Sequence, residues 1–237
     1  MYAVDLHTHT RFFHGRRELG DRFDPVGYRL LATAARLRGL DGVATTNHDY
    51  YTAFPDVLGA TALPGTEITT TRGHLLVVGP DPPAETDPGE LTPEAAVEVA
   101  HDRGCAAILA HPYRNSTIRE LDKLDLDAIE VNGKHPRTRS WVERLADHRG
   151  LPLVGGSDAH YPPEVGRAYT AVDAEELTPA AVVDAIRDGR VAARVDDWLP
   201  HRLLRGFYRR IHEHKRHLDS PEGPTPGVGD PPGEESD

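Results

Sequence analysis

Residues 2–10 read Tyr-Ala-Val-Asp-Leu-His-Thr-His-Thr, an apolar segment that ends in two histidines one residue apart. Side chains on a strand alternate between faces, so this spacing puts His7 and His9 on one side, where two imidazoles converge. Working outward, further strand-like segments lie near Gly42 to Thr46, Leu75 to Val78, Ala106 to Ala110, Ala128 to Val131, Leu153 to Gly155 and Tyr169 to Val172. Amphipathic helices fit between most of them, over about Pro25 to Leu37, Pro93 to Asp102, Arg139 to His148 and Pro179 to Arg187. Thr-Pro pairs open two of these helices, with Thr as cap and Pro in the first turn. Repeated β-α units predict parallel strands, in an open sheet or a closed barrel.

The 237 residues suffice for one well-buried α/β domain, and no internal break argues for two. The expected division is a domain over residues 1–197, a basic helix over 198–218 and a disordered acidic tail over 219–237. The helical segment carries Arg202, Arg205, Arg209, Arg210, Lys215 and Arg216 against Glu213, and reads as a solvated surface helix. The tail holds six acidic residues and no basic one, with too little apolar surface to offset the entropy of ordering.

A single cysteine, Cys105, excludes a disulfide framework or a Cys-based zinc site within one chain and fits a reducing, cytoplasmic setting. The N-terminus lacks the basic start of a signal peptide, and no run approaches the roughly 20 apolar residues of a membrane span. A soluble protein with no membrane partner, and no evident obligate protein partner, is expected. The net charge of -11 opposes wholesale nucleic-acid binding, so an anionic substrate needs local positive charge. Only three of the 27 basic residues are lysine, and an acidic, lysine-poor surface suits high salt.

Histidine is the informative excess, with 14 in the chain. His7 and His9 close the first expected strand, where barrel enzymes keep their active sites. His14 follows in a loop. His48, Glu67, His74 and His111 also fall at expected strand ends, and Asp158 and His160 repeat the period-two pairing after the segment Leu153 to Gly155. Any one of these histidines reads more simply as a hydrogen-bonded structural residue, and His101, His135, His148, His201, His212, His214 and His217 are left in that class. Seven histidines and two carboxylates on one rim are a different matter. Imidazole and carboxylate without thiolate suit zinc, manganese or iron, whereas calcium and magnesium favour oxygen ligands.

With that pattern in place, the segments DLHTHTRFFHG (5–15), TTNHD (45–49), PGTEIT (64–69), GHLLVVG (73–79), AHPYR (110–114), EVNG (130–133) and GSDAH (156–160) resemble the successive motifs of the PHP domain. The family takes its name from polymerase and histidinol phosphatase, and the likeness spans roughly Tyr2 to Thr170. The resemblance implies an α/β fold, a distorted (β/α)7 TIM-like barrel, around a centre of two to three divalent metal ions. By the match, His7, His9, Glu67 and Asp158 hold one metal, Glu67 bridges to a second completed by His74 and His111, and His14, His48 and His160 hold the third. Relatives often carry Asp where this chain has Asn47 or His14. Asn47 is therefore expected to alter how His48 is oriented.

The activity so implied is metal-dependent phosphoester hydrolysis, in which metals a few ångströms apart acidify a bridging water to the hydroxide that attacks phosphorus. Arg114, three residues past His111, is the candidate phosphate clamp, and Arg167 a second one. Asp49 and Tyr50 stand near His48 as possible general acids, with no assignment between them. An amidohydrolase-type hydrolase shares the His-x-His strand but needs a bridging lysine, and none of the three lysines sits at an evident strand end. A non-catalytic PHP module is the other alternative, though such modules lose ligands. Only 36 residues separate His74 from His111, which leaves no room for a large recognition insertion. The expected substrates are small phosphorylated metabolites, nucleotides or nucleic-acid 5′ ends rather than long duplexes.

Overall fold

A computed structural model describes residues 1–11, 20–57, 59–114, 116–135 and 138–196, together with Thr225 and Val228. His14 and the segment 198–218 lie outside the described residues, as does most of the 219–237 tail. Within that tail Thr225 and Val228 are both buried.

Among the described residues nine strands form one sheet: β1 (Tyr2–Thr8), β2 (Gly42–Thr45), β3 (Thr61–Thr70), β4 (Gly73–Val78), β5 (Ala106–Leu109), β6 (Ala128–Asn132), β7 (Leu153–Gly156), β8 (Ala168–Val172) and β9 (Val191–Val195). The helices are α1 (Gly20–Leu37), α2 (Pro93–Asp102), α3 (Arg139–Arg149) and α4 (Pro179–Arg187). The strand order is β7-β6-β5-β4-β3-β2-β1-β8-β9. Its ends approach each other, β7 lying beside β1, β8 and β9, so the sheet is a nearly closed barrel.

The barrel was expected, but its make-up differs from seven parallel β-α units. β3 and β9 are additional strands, and the pairs β1-β8, β3-β4, β4-β5 and β8-β9 are antiparallel. β3 hides in the sequence because Pro64 and Gly65 interrupt it. Gly65 is required there, since a Cβ would lie 2.8 Å from Thr46 Cγ2. β3 and β4 then meet across the short turn at Thr71 and Arg72, which leaves no helix between them.

Caps place the helices. Thr92 and Thr178 accept hydrogen bonds from Ala95 N (3.3 Å) and Ala181 N (3.2 Å), and Pro93 and Pro179 occupy the first turns. Gly150 ends α3 at φ 64°, the left-handed conformation that glycine adopts without a Cβ penalty. α4 packs Val182, Val183 and Ile186 against the inward side chains Val4, Leu6, Leu63, Leu76 and Ile108. α1 covers β1 and β2 through Tyr28, Leu31, Ala32 and Ala35. α2 and α3 cover β3 to β6, and Val228 joins that cluster. Each fully buried aliphatic side chain contributes about 1.5–3 kcal/mol.

The seam near β7 is closed largely by side chains. The Thr170 hydroxyl accepts from Gly155 N (2.8 Å) and donates to Gly155 O (2.9 Å), and β1 extends beyond its end to bridge Thr8 to Ala159. No described helix is long and apolar enough to cross a membrane.

Candidate metal centre

Glu67 sits in the middle of β3, rather than after a turn, with its carboxylate fully buried. Five imidazole nitrogens converge on its two oxygens. His7 Nε2, His9 Nε2 and His48 Nδ1 lie 3.1, 3.3 and 3.2 Å from Oε2. His74 Nδ1 and His111 Nε2 lie 2.8 and 3.0 Å from Oε1. Asp158 Oδ1 closes the other side at 3.3 Å from His9 Nε2 and 3.8 Å from His7 Nε2. His160 continues the cluster, its ring tilted against that of His9 with centroids 4.2 Å apart and its Nδ1 3.3 Å from Asp158 Oδ1.

Eight of the nine expected ligands are thus gathered in one place; the ninth, His14, is outside the described residues. They arrive from β1, the β2 end, β3, β4, the β5 end and the β7 end, as strand termini sharing a rim predict. Backbone strain helps aim two of them. His111 and Asp158 take φ of 23° and 53°, a region costly for side-chain-bearing residues and tolerated best by Asn, Asp and His.

The donor set fits cations. One carboxylate cannot accept usefully from five imidazoles, and both ring nitrogens of His9 are buried without a well-formed hydrogen bond. Cations placed between the rings and the carboxylates would satisfy these lone pairs together. Four triads have ligand atoms within 4.8 Å of one another: His9, His48 and His160; His7, His9 and Asp158; His7, Glu67 and His111; and His48, Glu67 and His74.

Electrostatics agrees. Burial pushes the Glu67 carboxyl up, yet the neighbouring His48, His7 and His74 hold it well below the usual carboxylate range. For Asp158 burial is again outweighed, by Lys134 and His7. Burial pushes His9 and His48 down, toward the neutral imidazole that binds a metal, whereas the carboxylates facing His7 and His74 outweigh burial and push those two up.

Two residues were not singled out by sequence reading. Glu130, fully buried on β6, accepts His7 Nδ1 at 2.8 Å through Oε1 and His111 N at 2.8 Å through Oε2. It fixes the tautomer of His7 so that Nε2 faces the cluster. A charged residue inside the apolar strand Ala-Ile-Glu-Val-Asn was the available signal. Lys134 lies two residues past β6, with Nζ 3.4 Å from Asp158 Oδ1. This corrects the expectation that no lysine stands at a strand end.

Arg114 does reach the site, its Nη1 donating to Asp158 Oδ2 at 3.1 Å. Arg167 is different: it is 1 % exposed and its Nη1 lies 3.9 Å from Glu164, the carboxylate that accepts from His160 N. Asp49 turns its carboxylate to Thr69 N and Oγ1, both at 2.7 Å, and braces β3 rather than facing the cluster. Tyr50 donates its hydroxyl to Asp24 at 2.6 Å, and burial pushes its pKa upward. Neither is placed as a general acid. Asn47 bonds Thr10, accepting from its amide at 2.9 Å, and these contacts tie two loops together.

Known proteins share this architecture. Residues 137–191 match a family model described as PHP-associated. PsfC from Pseudomonas syringae superimposes with a TM-score of 0.68 at 20 % identity, over 89 % of this chain and 98 % of that one. A two-domain protein from Bacteroides vulgatus, described as containing a predicted PHP-like metal-dependent phosphoesterase, gives 0.55 at 21 % identity over 82 % and 64 %. A lesion-specific endonuclease from Pyrococcus furiosus gives 0.60 at 18 % identity, over 81 % of this chain and 57 % of that one. At these identities the likenesses establish the fold.

Proposed function

Starting from the premise that this chain is a PHP-domain protein, we propose that it is a metal-dependent phosphoesterase acting on small phosphorylated metabolites, nucleotides or nucleic-acid 5′ ends. The observation that carries this reading is the convergence of five imidazole nitrogens on buried Glu67 within 3.3 Å. Two to three zinc, manganese or iron ions suit that donor set. His7, His9, Glu67 and Asp158 would hold one, Glu67 with His74 and His111 a second, and His48 with His160 and His14 the third. Such ions supply Lewis acidity toward phosphoryl oxygens and lower the pKa of water.

The chain's own residues do the rest. Glu130 holds His7 in the tautomer that presents Nε2. Strained backbone at His111 and Asp158 holds their side chains inward before any substrate arrives, so little reorganisation is needed at reaction. Arg114 sits at the partly exposed edge of the cluster, with its Nε buried and lacking a hydrogen-bond partner among the described residues. Its planar fork matches phosphate oxygens, which makes it the first phosphate ligand. Arg167 supports the His160 loop through Glu164 in this reading.

Lys134 at the end of β6 lends something to an amidohydrolase-type reading. The five imidazoles converge on Glu67, however, which would serve as the bridge, and Lys134 stands outside that cluster beside Asp158. The test is a phosphate-release screen over phosphorylated metabolites, nucleotides and 5′-phosphorylated oligonucleotides with manganese or zinc, using His9→Ala as the blank. Release by the wild-type protein alone is expected. Equal release by both proteins, or cleavage of internal duplex sites with none at termini, overturns the proposal.

A further inference from the structure

Asp158 carries a cation on each of its oxygens: Arg114 Nη1 is 3.1 Å from Oδ2 and Lys134 Nζ is 3.4 Å from Oδ1. The two cations come from different elements, the loop after β5 and the loop after β6. The Lys134 side chain is 9 % exposed, a costly place for an ammonium group that has few acceptors. Its other neighbours are His160 Nδ1 at 2.9 Å and Glu164 Oε2 at 3.9 Å. Glu164 Oε2 already accepts from His160 N (2.7 Å) and Tyr161 N (3.1 Å). His160 Nδ1 also lies 3.0 Å from the Asp158 carbonyl. An Nδ1–H donated there leaves the ammonium, among the described residues, with Asp158 as its one close acceptor.

The local charge is therefore lopsided, with two cations sharing one carboxylate that also faces His7 and His9. Whatever else binds Asp158 competes for the same oxygens and turns donor capacity on Lys134 and Arg114 toward the open side of the site. We propose that Lys134 and Arg114 form a two-cation clamp for a terminal, dianionic phosphate, so that the substrate class is phosphomonoesters rather than phosphodiesters. The inference rests on the phosphoesterase reading above and narrows it. A monoester brings two charges and three non-bridging oxygens, enough to engage both donors and the cluster together. A diester brings one charge and two such oxygens, and its second ester group would have to lie where the clamp closes.

The test compares a nucleoside 5′-monophosphate and p-nitrophenyl phosphate with bis(p-nitrophenyl) phosphate, using metal-loaded full-length protein. It is combined with calorimetric titration of inorganic phosphate and metal analysis of wild type, Lys134→Met, Lys134→Arg and Arg114→Met. The wild type is expected to favour monoesters at least about tenfold in kcat/KM. Lys134→Met should raise KM and the phosphate dissociation constant about tenfold or more at unchanged metal content, with Lys134→Arg restoring most of the affinity. Preference for the diester overturns the clamp and leaves the phosphoesterase intact. So does loss of metal in Lys134→Met with no change in phosphate affinity per loaded site, since Lys134 would then serve only to place Asp158. Absence of turnover on every ester overturns the phosphoesterase reading, and the phosphate titration then decides the clamp by itself.

Discussion

Glu130 shows how much a single residue can settle. Its two oxygens hold His7 through the side chain and His111 through the backbone, so it positions two imidazoles of the cluster from behind. Glu130→Gln keeps the volume and one acceptor but loses the charge, and metal affinity should fall about 10–100-fold. Competition with a fluorescent chelator measures it, and an unchanged affinity would show that the ring orientations are fixed by packing alone. Cys105 makes the opposite point. It is fully buried, and that burial pushes its thiol pKa up, so the native protein should react slowly with a chromogenic aromatic disulfide and rapidly once unfolded. A thiol with a raised native pKa favours the folded state below the unfolded pKa and loses that contribution as pH rises through the native value. The protein should accordingly become less stable above about pH 9. The residues of the proposed metal cluster are legible in the sequence because strand alternation and strand ends fix where they point. Glu130 and Lys134 are not, since their meaning comes from His7 and Asp158, residues far away in the chain.

At the scale of elements, α2 and α4 follow the sequence closely because their signals are local, their Thr-Pro caps falling where capping chemistry puts them, whereas α1 begins at Gly20 and carries Pro25, the expected start, inside it. β3 escapes notice because a proline and a glycine sit inside it, and only its neighbours β2 and β4 explain why both are accommodated. β9 is short and partly exposed, and its ladder partner is β8. The seam at β7 depends on one glycine. A Cβ on Gly155 would fall on the Tyr169 carbonyl oxygen, well inside van der Waals contact. Gly155→Ala must push β8 away and disturb both hydrogen bonds to Thr170, and should destabilise the protein by about 1–3 kcal/mol. That corresponds to a fall in Tm of roughly 2–12 °C for a domain of this size. Unchanged melting would mean that the barrel seam is loose enough to absorb a methyl group.

The whole molecule separates its stability from its chemistry. Three apolar clusters, one beneath α2 and α3, one around α4 and one beneath α1, hold the barrel without using any of the imidazoles on the rim. The rim carries crowded, desolvated donors that cations would satisfy, so metal binding should add stability to a fold that exists without it. Dialysis against a chelator is expected to leave the far-ultraviolet circular dichroism spectrum nearly intact while lowering Tm. Manganese or zinc at about 100 times its dissociation constant should restore about 2.7 kcal/mol, roughly 5–10 °C. Imidazole must be deprotonated to bind a metal, so the same increment should shrink between about pH 7 and pH 5.5 as protons compete for the ligands. A chelated protein that melts at the same temperature as the loaded one would show that the imidazoles are satisfied by each other. One that loses its secondary structure would show that the apolar clusters cannot hold the barrel unaided.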